Sequence, residues 1–111
     1  MEKFVKGDVV VVPFPFSDLS HAKRRPAFVV AHLRGNDLIL CQITSKDVKD
    51  ECAVKIKETD FTQGALKTES NIRPNRLFTA DQSIVLYKTG RLKAEKINQV
   101  IEKIVHIIRH G

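Results

Sequence analysis

Lys23-Arg24-Arg25-Pro26 opens an apolar run, Ala27-Phe28-Val29-Val30-Ala31, and a second apolar run beginning at Asp37 ends in Gln42-Ile43-Thr44-Ser45. If the two runs are neighbouring strands, a guanidinium from the first and a hydroxyl from the second can converge on one phosphate. Arginine suits that task because its planar, permanently charged fork matches two phosphate oxygens at once, and a threonine hydroxyl both donates and accepts. The same residues also read as a solvated loop end and a turn. His21 stands just before the basic cluster, and imidazole, with an unperturbed pKa of about 6.5, can exchange protons at neutral pH. It reads equally as an exposed loop histidine. His32, at the end of an apolar strand, and His106 and His110, on or beyond the wet face of a helix, are given no chemical role.

Patterning outlines the elements that must position these groups. Asp8-Val9-Val10-Val11-Val12 follows Gly7 and is too apolar to alternate, which predicts a strand covered on both faces. Pro13 and Pro15 remove two backbone donors and are expected to end ladder pairing, opening an irregular loop through Ser17-Asp18-Leu19-Ser20-His21. Strands over residues 26–33 and 37–44 are joined by Arg34-Gly35-Asn36, whose glycine and asparagine permit a tight antiparallel hairpin. Ala53-Val54-Lys55-Ile56-Lys57 alternates as a half-exposed strand. Thr59 to Ser70 reads as loop or a short helical turn, and Gln82 to Tyr87 as a further strand. Ile97, Val100, Ile101, Ile104, Val105 and Ile108 recur at helical spacing, with Glu95, Gln99, Glu102 and Lys103 opposite; Lys93 makes a poor N-cap. Short strands followed by one terminal helix predict a mainly β fold, a small SH3-like antiparallel β-barrel with a C-terminal α-helix.

A chain of 111 residues suits one domain, so residues 1–111 are read as a single unit. No apolar run approaches bilayer length, and Met1-Glu2-Lys3-Phe4 lacks the pattern of a signal peptide, which predicts a soluble, cytoplasmic protein without a membrane partner. Cys41 and Cys52 have no neighbouring Cys or His at zinc-ligand spacing; they are read as reduced, and no metal or cofactor is expected. Lys and Arg number 19 against 13 Asp and Glu, a formal charge of +6. His21, Lys23, Arg24 and Arg25 form one patch and Arg73 with Arg76 another, which favours a polyanion or an acidic protein segment as partner. A charge of this size also serves solubility alone.

The run from Gly7 to Ser20, with its Val-Pro-Phe-Pro-Phe core, Lys23-Arg24-Arg25-Pro26-Ala27, and Asp37 through Gln42-Ile43-Thr44-Ser45 together resemble the MazF/PemK family of toxins from type II toxin-antitoxin modules. Ser70-Asn71-Ile72-Arg73 and Leu77-Phe78-Thr79-Ala80-Asp81 carry the likeness into the second half, in order and at compatible spacing. The resemblance implies an SH3-like barrel, a homodimer, and metal-independent, sequence-specific endoribonuclease activity on single-stranded mRNA. It also implies inhibition by an acidic, partly disordered antitoxin. It matches Arg25 to the family's active-site arginine, Thr44 to the threonine of its Ile-Thr-Ser motif, Arg73 to a second arginine used in part of the family, and His21 to a loop histidine of some relatives. Where some relatives carry a carboxylate proposed to transfer a proton, this chain has Asn75, which cannot take one at working pH.

RNA can be cut without a metal if the substrate's own 2′-hydroxyl attacks the adjacent phosphate; DNA lacks that nucleophile. The reaction needs a proton acceptor, a proton donor to the leaving 5′-oxygen, and stabilisation of charge at phosphorus. Arg25 is the expected stabiliser, since an arginine with a pKa above about 12 is a reluctant acid. Thr44 is expected to hydrogen-bond a phosphate oxygen or orient the attacking hydroxyl, with His21 or Arg73 sharing the chemistry. Ser17, Asp18, Lys23, Arg24, Ser45 and Arg76 are candidates for RNA contacts. Phe14 and Phe16 suit either base stacking or core packing; with six Phe, one Tyr and no Trp in the chain, packing is favoured. The same barrel also serves toxins that bind gyrase without cutting RNA, and an inactive homologue would keep antitoxin binding alone.

Overall fold

Val9 in the first strand, β1 (Asp8–Phe14), enters one core while Val10 and Val12 enter another, and none of the three is more than 1 % exposed. A strand with a core on each face is what an unbroken valine run specifies. The computed structural model describes residues 3–14 and 23–111. After β1 come β2 (Lys23–His32), β3 (Asp37–Thr44), β4 (Val54–Ile56), β5 (Phe61–Gly64), β6 (Ser70–Asp81), β7 (Tyr87–Leu92) and the helix α1 (Ala94–His110). The strands form one sheet in the order β4-β6-β3-β2-β1-β7-β5, antiparallel at every pairing, curled into a half-barrel with the C-terminal helix against it.

Ile97, Val100 and Ile104 of α1 are buried in the first core with Val9, Phe28 and Ile43. Burial of each such side chain favours docking by roughly 1.5–3 kcal/mol, so the helix is held by its apolar stripe more than by propensity. Lys93 supplies no side-chain cap, as its identity predicts. Its backbone N–H instead donates to the Asp60 carbonyl at 2.8 Å, and Lys96 Nζ reaches the Lys55 carbonyl at 3.3 Å. Gly7, at φ 97°, sits under the same helix. Only glycine adopts that angle without strain, and a side chain there would run into Ile97. Next to it the buried Asp8 carboxylate meets Arg91 at 3.1 Å and Lys88 at 3.3 Å, tying β1 to β7.

The hairpin at Arg34-Gly35-Asn36 forms as expected, with Gly35 at φ 91°. Several boundaries differ from the sequence reading. β1 runs through Pro13 and Phe14, which stand opposite Arg24 and Lys23, so the proline does not end the ladder. β2 correspondingly begins at Lys23, and the basic cluster lies in a strand. Thr59–Ser70 contains strand β5 after a 3-10 turn at Glu58–Asp60. Gln82–Ile84 is a 3-10 turn capped by Asp81, with the strand displaced to Tyr87–Leu92. Cys52 lies in a turn ahead of β4. Among the described residues no helix is long and apolar enough to cross a membrane.

Candidate active site

Pairing between β2 and β3 starts at Ala27, opposite Gln42. Pro26 has no N–H to offer a neighbour; among the described strands Lys23, Arg24 and Arg25 pair only with β1, and a cleft opens beside the end of β3. Carrying the register two residues on from Ala27–Gln42 sets Arg25 across from Thr44. Both residues line a cavity of about 210 Å³ together with Phe14, Gln42, Lys46 and Arg73. Strand alternation explains the grouping: Phe14 follows the parity of Val12, Arg25 that of Ala27, and Thr44 that of Leu40, all on the side of the second core. A second cavity, of about 380 Å³, also has Arg25 and Thr44 in its wall and adds Arg24, Ser45, Lys67 and Tyr87.

Thr44 is half-buried, and its hydroxyl accepts the Lys46 backbone N–H at 3.2 Å. Asn71, opposite Thr44 in the β3–β6 register, donates through its side chain to the Lys46 carbonyl at 3.2 Å and fixes the turn. Arg73 follows on β6, where the register shifts between Cys41 and Ile43. Pro74 falls within that irregular stretch, where a missing ladder donor is tolerated. Arg73 Nη2 lies 3.1 Å from Asp50 Oδ2, while its Nε is buried with no hydrogen-bond partner among the described residues. An unmet buried donor costs about 1–3 kcal/mol. Partial desolvation pushes the Asp50 carboxyl up. The Arg73 hydrogen bond, the backbone N–H groups of Cys52 and Ala53 and the Arg73 charge outweigh this and hold it below 3.8.

The cavity thus presents three cations, Arg25, Lys46 and Arg73, a threonine hydroxyl and an aromatic ring: groups suited to a phosphodiester. Of the residues expected from sequence, Arg25, Thr44 and Arg73 come together, and Arg24 and Ser45 line the larger cavity beside them. Lys23, opposite Phe14, and the exposed Arg76 line neither. Ser17, Asp18 and His21, like Phe16, lie outside the described residues. Phe14 stacks at a tilt of 48° on Phe78, with ring centroids 5.9 Å apart, in keeping with the packing reading. Lys46, Gln42 and Asp50 were not legible as site residues; the β3–β4 loop holds Asp47, Asp50 and Glu51, and nothing local distinguishes the one that meets Arg73.

The chain is thus a small curled antiparallel sheet with a C-terminal helix and a cationic cleft at its strand ends. The chain belongs to the PemK-like, MazF-like toxins of type II toxin-antitoxin systems, whose family model matches residues 5–108. Similar solved structures include a MazE-MazF complex from Deinococcus radiodurans, at TM-score 0.78 and 15% identity with 100% of both chains covered. A mycobacterial endoribonuclease bound to its cognate antitoxin has TM-score 0.77 and 10% identity, with 98% of each chain covered. The Mycobacterium tuberculosis toxin MazF-mt6 has TM-score 0.72 and 14% identity, covering 94% of this chain and 98% of its own. No individually curated protein matches in sequence.

Proposed function

We propose that this toxin is a metal-independent endoribonuclease that cuts single-stranded RNA at particular sequences. The observation that carries the reading is the approach of Arg25 and Thr44 from adjacent strands to one cavity that Lys46 and Arg73 also line. In the reaction the ribose 2′-oxygen attacks the neighbouring phosphorus and the 5′-oxygen leaves, so the products carry a 2′,3′-cyclic phosphate and a 5′-hydroxyl. Arg25 stabilises the charge that grows on the non-bridging oxygens, and Thr44 donates to one of them. His21 takes the 2′-hydroxyl proton, and solvent water protonates the leaving 5′-oxygen. Arg73 and Lys46 hold the flanking phosphate charge; Ser17, Asp18, Lys23, Arg24, Ser45 and Arg76 contact the strand beyond.

The chain works in the cytoplasm as a homodimer, with a positively charged surface that an acidic antitoxin covers. The net charge of +6 and the antitoxin complexes among its structural neighbours support that partner. The test is incubation of purified protein with mixed-sequence RNA in EDTA, beside an Arg25→Ala variant, followed by mapping of the ends. Cleavage by wild type alone, leaving 5′-hydroxyl ends that polynucleotide kinase labels without prior phosphatase, is the expected result. Intact RNA, equal cleavage by both proteins, or cleavage only when a divalent metal is restored would contradict the proposal.

A further inference from the structure

Three cations around one small cavity repel one another, and a long arginine relieves that repulsion by swinging into water. Arg73 has a further reason to leave, because its Nε is buried with no acceptor among the described residues. What opposes this is Asp50, whose Oδ2 lies 3.1 Å from Arg73 Nη2. Asp50 is itself fixed. Its Oδ1 accepts the backbone N–H groups of Cys52 and Ala53, each at 2.9 Å, and Asn75 Nδ2 approaches Oδ2 at 3.5 Å. The carboxylate therefore bridges the β3–β4 loop to the irregular stretch of β6.

We infer that Asp50 is a positioning residue for RNA cleavage, clamping the Arg73 guanidinium at the cavity wall so that its remaining donors meet the substrate phosphate beside Arg25. The inference rests on the endoribonuclease reading above. Asp50 does not touch the substrate; it acts through Arg73. Its ionised carboxylate supplies the anionic partner that the cluster lacks at position 75, where the side chain is a neutral amide. Removing the clamp leaves Arg73 present but misplaced, and misplacement of a catalytic group by an ångström costs on the order of a hundredfold in rate.

Asp50→Asn is the discriminating variant. Its side-chain oxygen can still accept from Cys52 and Ala53 and hold the loop, while its amide turns a donor toward a guanidinium that has only donors. Cleavage should slow by roughly tenfold to hundredfold, with the melting temperature close to wild type. Adding Asn75→Asp returns a carboxylate to the same cluster from the other strand, and the D50N/N75D double variant should recover most of the rate. Wild-type cleavage by Asp50→Asn, or a loss that the double variant does not recover, would overturn the inference. A second readout separates the clamp from the enzyme reading: the Arg73 Nε–H signal in a 15N NMR spectrum. It should stand apart from the bulk arginine signals in wild type, merge with them in Asp50→Asn, and reappear in the double variant. RNA left intact by wild type defeats the nuclease reading, whereas an Arg73 signal indifferent to Asp50→Asn defeats the clamp whatever the RNA does.

Discussion

The Lys46 backbone N–H donates to Thr44 Oγ1 at 3.2 Å, so one of the two acceptor positions of the hydroxyl at the end of β3 is taken and its own proton is left to give. That arrangement suits a donor to a phosphate oxygen and disfavours Thr44 as a base. Thr44→Ser should retain most of the cleavage rate. Thr44→Val, of nearly the same shape without the hydroxyl, should lose about 1.5–3 kcal/mol of transition-state stabilisation, roughly tenfold to hundredfold in kcat/KM. Steady-state rates on one mapped oligonucleotide check both. Equal rates for Val and wild type would remove Thr44 from the chemistry.

Arg25 separates charge from shape. Arg25→Ala removes both and should cost on the order of 10²–10³ in kcat, the scale seen when a preorganised charge stabiliser is lost. Arg25→Lys keeps the charge but not the planar fork and should recover only part of the loss. A lysine variant as fast as wild type would show that a point charge suffices and that two-oxygen recognition is not used.

Ile104 and Ile108 lie one turn apart on α1 and should behave oppositely. Ile104 is 6 % exposed and Ile108 70 %. Ile104→Ala should lower stability by about 2–5 kcal/mol, since it opens a cavity under the helix, while Ile108→Ala should change it by less than about 0.5 kcal/mol. Urea unfolding midpoints distinguish them.

The two cysteines should differ as sharply. Burial pushes the Cys41 thiol from 9.0 up to about 12, and the residue is fully enclosed in the first core. A thiol reagent at mildly alkaline pH should therefore label half-buried Cys52 first and Cys41 only on unfolding. The sign for stability follows from the same shift. The unfolded chain loses this proton near 9.0 and the folded chain only near 12, so the unfolded state holds fewer protons in between. Stability from this group is intact below pH 9 and declines as pH rises toward 12, by at most about 1.4 kcal/mol per unit. Cys41→Ala should flatten that decline; an unchanged alkaline slope would mean that other groups cause it.

Much of the fold and the centre of the site could be read from residue order, for identifiable reasons. The valine run of β1, the Gly35 hairpin and the isoleucine stripe of α1 are local patterns whose period fixes face and element. Arg25 and Thr44 stood out because each ends or begins an apolar run. The extension of β1 through Pro13 was hidden because a proline within a strand reads as a stop, yet Arg24 pairs opposite it. β5 reads as loop and β7 as a strand placed too early, because their short, polar segments are ordered by the strands beside them. Asp50 and Lys46 were invisible for a different reason. They reach the site by loop geometry, and a charged loop carries no periodicity that distinguishes one carboxylate from the next.

The central claim is that the ribose supplies the attacking oxygen while Arg25 and Thr44 stabilise the phosphate. Its most direct test is an RNA oligonucleotide carrying one 2′-deoxynucleotide on the 5′ side of the mapped cut, digested in EDTA beside the all-ribo strand. The expected result is rapid cleavage of the all-ribo strand and none at the substituted linkage, with binding unchanged by competition. Cleavage at the deoxy position would mean that another nucleophile does the cutting, and the mechanism proposed for this cleft would be wrong.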